Sequence, residues 1–358
     1  MIHLSNADVQ QVLDMRTTLE ALRVGYDDLE RGQATHIPRI DLYAPTGRDD
    51  DYYRWGSMTG ACRTYGVLAV RIKSDIVYWT ASGTEEKYCM QPGTYSGIIL
   101  LYSIQSGEPL ALINDGYLQH MRVGAGAGIG VDLLARPDAA VLGLLGSGGM
   151  AHSYLEAIAL VRKLREVRVY SPTVAHREEF AAEMSDRIRV PIVPVDSPER
   201  AIAGADVVAS ATDAIGPTFR AEWLEPGMHV TNVASQEVAA DVVERADVVM
   251  QLGHMTIYAE VPGMGTGVGS MASYIIGEPD ERARIPGGKA RPTRPMLYTY
   301  GEGRAPGRTS PEQVTLFLNH GTQGLQFAAV AGRVYQLARE RGLGQAMPLE
   351  WFVQDIRD

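Results

Sequence analysis

Cysteine is scarce: only Cys62 and Cys89 occur in 358 residues, and no CxxC or Cys/His spacing accompanies them. A disulfide framework and a zinc centre are therefore unsupported, no metal is expected, and a reducing compartment is the default. Clustered positive charge is also missing. The net charge is −10 and no run of Lys and Arg stands out, whereas nucleic acid and anionic membranes are bound chiefly through such clusters. Neither is expected as a partner, although a few buried cations could still draw in a small anionic substrate. Long apolar runs are lacking too. A stretch such as Ile98 to Tyr102 falls far short of the roughly 20 residues that span a bilayer. Residues Met1 to Asp8 hold no basic region followed by an apolar stretch, so no secretory signal is read and the cytoplasm is the expected location. No internal repeat or low-complexity tract is visible. The whole composition, 45% hydrophobic and 21% charged, is the profile of a soluble globular protein, and the chain's length predicts two domains rather than one core.

Residues 5 to 32 read as helical. Ser5 or Asn6 is placed to cap, and Val9, Val12, Leu13, Leu19, Leu22 and Leu29 recur at near-helical spacing. From Ile37 to Pro109, Tyr, Val and Ile alternate with polar residues between Pro-Thr-Gly, Ser-Gly and Gln-Pro-Gly turns, which predicts a mainly antiparallel sheet. Arg122 to Ala135 reads as a helix of small residues able to pack closely on a neighbour. From Asp138 the rhythm becomes βαβ. Ala139 to Leu145 is an unbroken apolar strand, followed by a glycine turn and a helix to about Lys163. Val167 to Tyr170, Val190 to Val195, Asp206 to Ala211, Met228 to Val233 and Asp247 to Leu252 continue as short apolar strands, with a helix over Val174 to Arg187. Such strands alternating with amphipathic helices imply a parallel sheet covered on both faces. Residues 253 to 308 look irregular, Gln313 to Phe317 is one more candidate strand, and Gly321 to Arg341 is a closing helix.

The turn Gly146-Ser147-Gly148-Gly149-Met150-Ala151 stands directly after a strand and directly before a helix, the context that gives a glycine string meaning. Gly146 permits the tight turn, Gly148 lets main chain approach a diphosphate, Ala151 allows close helix–strand packing, and the amides at the helix start offer donors. A dinucleotide site is the expectation, with Gly146, Ser147, Gly148, Gly149 and Met150 as its phosphate contacts. An acidic residue that would hydrogen-bond the adenosine ribose is missing at the end of the second strand, which reads Tyr170-Ser171-Pro172-Thr173 with His176 and Arg177 beyond. Ser171, Thr173 and Arg177 could instead hold a 2′-phosphate. NADP(H) is thus preferred, with NAD(H) possible, and Thr212 and Val233 join the expected cofactor-binding set.

These segments resemble the ornithine cyclodeaminase/mu-crystallin family. The resemblance is carried by Ser106 to Ala111, Leu118 to Arg122, the run through Leu134-Ala135-Arg136 into the glycine turn, Ala205 to Val208, Gly227 to Val230, and the closing helix with Gly342-Leu343-Gly344. Arg122, a Gly/Ala helix and the glycine turn about 24 residues later form the specific part. The resemblance implies an α/β protein in which a Rossmann-type doubly wound parallel sheet, residues 131–309, is inserted in a discontinuous α+β domain, residues 1–130 plus 310–358, for substrate binding and dimerisation. It also implies a homodimer whose chemistry joins an amino acid to its imine, with hydride moving at the α-carbon.

The substrate of such an enzyme carries an α-carboxylate, which out of water needs charged donors. Arg39 and Arg122 match the family's two arginines, and Thr94 matches a threonine that contacts substrate. Arg71 and Lys73 lie two apart, on one face of a strand. The family has one lysine there; spacing aligns it with Arg71 and leaves Lys73 displaced by two, so either could fill the role. Lys73, Asp75 or water could supply a proton. Cyclodeaminases carry an Asp after the fifth strand, where this chain has Gln236, with Glu237 one residue beyond. Glutamine is no general base; Glu237 would serve only if the loop shifts. The leading expectation is an NADP(H)-dependent reductase of a carboxylated imine, equivalently an amino-acid dehydrogenase. The alternatives are an ammonia-releasing cyclodeaminase with recycled NAD and a non-catalytic binding protein. His120 is placed to line the site and His152 to approach the diphosphate, while His176, His229, His254 and His320 read as structural.

Overall fold

The alternating segment folds as one sheet. In the computed structural model, which describes residues 1–37, 39–81, 83–252 and 307–356 with strands at 271–275 and 298–299, β2 (Ala34–His36), β3 (Arg39–Pro45), β4 (Asp51–Cys62), β5 (Val67–Trp79), β6 (Glu85–Tyr88), β7 (Gly97–Ser103) and β8 (Pro109–Asn114) pair antiparallel in the path β3–β4–β5–β7–β8. β2 pairs with β4, and β6 with β5. β1 (Ile2–Leu4) runs parallel beside β8 and antiparallel to β18 (Gln345–Ala346), so both ends of the chain meet at one edge. Neither strand was expected. Along β5, Val67, Ala69, Arg71, Lys73, Asp75 and Val77 are buried while their neighbours are half exposed, the two-residue period of the pleat.

Helices cover the inner face. Instead of one helix over residues 5 to 32 there are two, α1 (Asn6–Val12), capped reciprocally by Ser5 and Asp8, and α2 (Met15–Glu30). Asp14 causes the break: its carboxylate accepts the Thr17 amide at 2.7 Å, opening a new helix. α3 (Gly116–Leu134) begins earlier than the small-residue run suggested, and α8 (Gln323–Glu340) closes the chain against β4, β5 and α2.

The second sheet is wholly parallel. Its order is β11 (Ile192–Pro194), β10 (Glu166–Tyr170), β9 (Val141–Leu145), β12 (Val207–Ser210), β13 (His229–Asn232), β17 (Thr315–Leu318), β14 (Val248–Gln251) and β16 (Tyr298–Thr299). On one face pack α3, α4 (Gly149–Val161) and α5 (Val174–Ile188); on the other lie α6 (Pro198–Ile202) and α7 (Ala240–Arg245). Two boundaries differ from expectation. β17 lies beyond residue 309 yet sits inside the parallel sheet, because its three buried apolar and hydroxyl positions suit a central strand. β15 (Met271–Ile275) lies within 131–309 yet pairs with β3 of the first sheet. His254 and most of the segment 253 to 308 fall outside the described residues. Among the described residues, no helix is long and apolar enough to cross a membrane.

α3 joins the two layers, and its glycines set the distance. A Cβ on Gly124 would run into the Ser153 carbonyl of α4, and one on Gly128 would stand 2.9 Å from the Ala157 Cβ. On another face, a Cβ on Gly126 would stand 2.5 Å from Asn319 Oδ1, and one on Gly130 would enter the Phe317 ring. Gly124→Ala should therefore lower stability by about 1–3 kcal/mol through overpacking, although alanine is the better helix former by about 1 kcal/mol. Thermal unfolding checks this, and an unchanged or raised melting temperature would show that α3 and α4 have room to part.

Candidate active site

The glycine turn has the geometry a diphosphate needs. Gly146 takes φ +106°, where a Cβ would strike the Ala211 carbonyl, and its amide donates to Tyr170 O at 2.8 Å. Gly148 caps α4, and the position of its absent Cβ opens onto free space, the cradle a side chain would fill. The amides that begin α4, from Gly149 and Met150, have no partner within the helix. Ser147 precedes them. A nicotinamide dinucleotide fits this turn, with those amides on its phosphates.

At the end of β10, Ser171 is buried and Thr173 exposed. Arg177 Nη1 donates to Ser171 O at 2.8 Å, and its guanidinium lies 5.9 Å from the Tyr170 ring centroid. A cation thus stands where the acidic residue is missing. Thr212 and Val233 close the crevice at the ends of β12 and β13. Both are held by Glu237, which is fully buried. The Thr212 amide and hydroxyl reach its Oε1 at 2.8 and 2.7 Å, and the Val233 amide reaches its Oε2 at 2.9 Å. Burial pushes the Glu237 carboxyl above its ordinary value, against the pull of these donors. The expectation that Glu237 could transfer a proton is corrected on this geometry: its oxygens are taken by amides and hydroxyls of the two loops.

The inner face of the first sheet carries charge. Arg71 is buried; its Nε donates to Asp115 at 2.5 Å and its Nη2 to the Tyr95 hydroxyl at 2.5 Å. Lys73 stands 3.3 Å from Asp75 and 3.6 Å from Asp41. Arg39 pairs with Asp41 at 2.8 Å, and Arg54 with Glu85 at 2.8 Å and Asp75 at 3.3 Å. Glycine makes the space: Gly56 and Gly97 are the register neighbours of Lys73. A Cβ on Gly56 would meet Lys73 Cε at 2.5 Å, and one on Gly97 would enter the Asp115 carboxylate. Burial, then the positive fields of Arg39 and Arg54, hold the Lys73 ammonium well below the ordinary lysine range.

Arg122 differs from the rest. It is 7% exposed, yet its acceptors are neutral amides: Gln326 Oε1 at 2.9 Å and Gln119 Oε1 at 2.7 and 3.2 Å. Its guanidinium lies 4.8 Å from the Phe327 centroid, over which Arg71 also packs at 5.4 Å. Among the described residues no carboxylate forms an ion pair with it. Burial, then the adjacent Arg71, bring Arg122 down to about 9. An anionic group would relieve that strain. His120, on the same helix, reaches the Gly149 side of the glycine turn, its Nε2 3.1 Å from where a Cβ would stand. The cation pocket and the turn are therefore neighbours.

Thr94 is not brought into this cluster. It is exposed, and its hydroxyl is used within its own turn, on the carbonyls of Cys89 and Gln91. His152 bonds Gly148 O at 2.9 Å and Glu183 at 3.3 Å. His229 is buried against Thr315 Oγ1 at 2.9 Å, and burial brings it to about 3, so it stays neutral. Asp41, Arg54, Glu85, Asp115, Gln326 and Phe327 were missed. Only Arg54 and Asp41 carried a signal, as charges at alternate positions in strands.

Relatives share this architecture. Over 258 residues, 70% of this chain and 74% of the relative, the sequence is 30% identical to a delta(1)-pyrroline-2-carboxylate reductase of Bacillus cereus. The fold matches the Thermococcus litoralis delta(1)-pyrroline-2-carboxylate reductase, solved with NADH and L-proline, at TM-score 0.75 and 24% identity, covering 97% of this chain and 100% of that one. An archaeal alanine dehydrogenase dimer with bound NAD matches at TM-score 0.74 and 21% identity, covering 97% and 99%. The ornithine cyclodeaminase/mu-crystallin family pattern spans residues 2–342, and this chain belongs to that family.

Proposed function

We propose that the protein is a nicotinamide-dependent reductase of carboxylated imines, run in reverse as an amino-acid dehydrogenase, with NADP(H) preferred. The observation that carries this reading is Arg122: a buried cation that, among the described residues, meets neutral acceptors and no carboxylate, beside a turn shaped for a diphosphate. Relatives that reduce a cyclic imino acid support it.

In this reading Arg122 receives the α-carboxylate as a forked donor, steered by Gln119 and Gln326. Arg71, locked to Asp115 and Tyr95, lends a second positive field. Arg39 is tied to Asp41 and shapes the pocket wall. A nicotinamide dinucleotide held on the Gly149 and Met150 amides would supply the hydride for the imine carbon. The imine nitrogen needs one proton for the C=N bond to become CH–NH, and Lys73 Nζ is the group to give it. Arg71 cannot, because a guanidinium stays protonated, whereas Lys73 holds its proton less tightly than an ordinary lysine and can release it. Asp75 and Asp41 hold the ammonium in place. Ammonia loss is disfavoured: Gln236 is no base and Glu237 is engaged.

A second copy of the chain is the partner this reading takes. The outer face of the first sheet presents Tyr53, Trp55, Val70, Ile72, Leu100 and Leu112, half exposed and contiguous in register. An apolar patch of this breadth is seldom left to water, and the archaeal dehydrogenase of the same fold is a dimer. Sedimentation as a monomer would overturn this assignment.

Steady-state kinetics test the site. With an α-imino acid and NADPH, Arg122→Ala should cost about 2–5 kcal/mol of substrate binding, seen as a raised KM with cofactor affinity near normal. Arg177→Ala should narrow the preference for NADPH over NADH. Turnover of neither nucleotide across a panel of α-imino acids would sink the proposal.

The pH profile tests Lys73. Reduction needs its ammonium form, so kcat/KM should fall as pH rises through a pKa below the ordinary lysine value of 10.5. Lys73→Gln should lower kcat by about 10²-fold or more and remove that alkaline limb. A limb that persists in the variant assigns the proton to another group.

A further inference from the structure

The ends of two central strands converge on one carboxylate. Glu237 Oε1 accepts from the Ser210 hydroxyl at 2.7 Å, the Thr212 amide at 2.8 Å and the Thr212 hydroxyl at 2.7 Å. Its Oε2 accepts from the amides of Val233 at 2.9 Å and Ala234 at 2.8 Å. The side chain is fully buried, and these partners are all donors. β12 and β13 do not need this charge to pair, since their own ladder runs from Val207 and His229 to Ser210 and Asn232. What the ladder leaves unset is the main chain beyond it. Glu237 sets both loops at once, because each oxygen serves one of them. The loop after β12 in turn backs the glycine turn, where the Ala211 carbonyl abuts Gly146.

We infer that Glu237 is the positioning residue of the cofactor crevice: its carboxylate fixes the gap between the Thr212 and Val233 main chains in which the nicotinamide end of the dinucleotide lies. The inference rests on the dinucleotide reading above. Glu237 acts through these loops and does not touch the ligand. Charge matters more than size here. An amide offers one oxygen and one NH2 group, so Glu237→Gln must set donors against the amides of one loop while satisfying the other. Buried donors left facing donors are costly, and the loop relieves them by moving outward.

Fluorescence titration with NADH and NADPH, on the wild type, Glu237→Gln and Ser210→Ala, tests this. Glu237→Gln should raise Kd for both nucleotides roughly tenfold to a hundredfold. Ser210→Ala, which removes one hydroxyl behind the crevice, should raise it by a smaller factor. KM for the imino acid at saturating NADPH should stay within about twofold, because Arg122 is untouched. A merely structural Glu237 would lower the melting temperature and leave Kd of the folded protein unchanged, which overturns the inference. If Glu237→Gln does not fold, an unchanged Kd in Ser210→Ala overturns it. Wild-type protein that binds neither nucleotide overturns the dinucleotide reading itself.

Discussion

The close approach of α3 to its neighbours is the constraint on which the site depends. Glycine at positions 124 and 128 lets α4 lie almost backbone to backbone against it, and glycine at 126 and 130 admits Asn319 and Phe317. The contact carries specific polar links as well as packing. Asn319 Nδ2 donates to Val123 O at 2.9 Å and to the Tyr154 hydroxyl at 2.7 Å, and that hydroxyl donates to Asn232 O at 3.0 Å. A chain of hydrogen bonds therefore runs from the residue after Arg122, through the glycine-turn helix, to the end of β13. Buried polar groups joined this way specify one arrangement rather than several. The Arg122 pocket and the glycine turn are thus held in one register, as the proposed hydride transfer between two bound molecules demands.

The pocket wall illustrates why charge is tolerated inside a sheet. Removing ions from water is expensive, and their mutual attraction repays it only with good geometry. Here Arg39, Asp41, Lys73, Asp75, Arg54 and Glu85 form a continuous alternation across β3 to β6. Each cation has an anion within ion-pair reach, and Gly56 lets the contact between Asp41 and Lys73 cross β4 without a side chain in the way. Against this balanced background Arg122 is the exception. Its charge is solvated by two glutamines and the face of Phe327, a weaker substitute for a carboxylate. A site that holds its cation ready, with neutral groups already oriented, binds an anion with little rearrangement.

The sequence made some of this legible because the relevant physics is local. A strand followed at once by a glycine turn and a helix is read within a dozen residues, and the alternation that puts Arg71, Lys73 and Asp75 on one face follows from the pleat alone. The break at Asp14 was also local but was overridden by the apolar spacing on either side, which continues across it. Other features depend on contacts that no window spans. Arg122 meets Gln326 across 204 positions, and Asp115 was an unremarkable loop residue until the fold brought it to Arg71, 44 positions away. β17 looked like part of the closing segment because chain order says nothing about which sheet a short apolar strand joins. Thr94 stands apart from the cation cluster for a different reason: its hydroxyl bonds inside its own turn, which family position does not reveal.

Glu237 shows how one substitution pattern bears on reaction type. A loop carboxylate serves as a base only if a lone pair is free and the protonated form is tolerable. Around Glu237 the first condition fails, since its two oxygens already take three amides and two hydroxyls. In the proposed reaction proton traffic is left to the opposite wall, where burial and the neighbouring arginines lower the affinity of Lys73 for its proton, beside Asp41 and Asp75. Delivery of a single proton suits that arrangement. Amine expulsion followed by ring closure needs protons both taken and returned near the leaving nitrogen, and with Gln236 beside an occupied Glu237 the crevice side supplies no second group for it. The carboxylate inferred to set the crevice is thereby also the group whose engagement favours the proposed chemistry, addition and removal of hydrogen across the C–N bond.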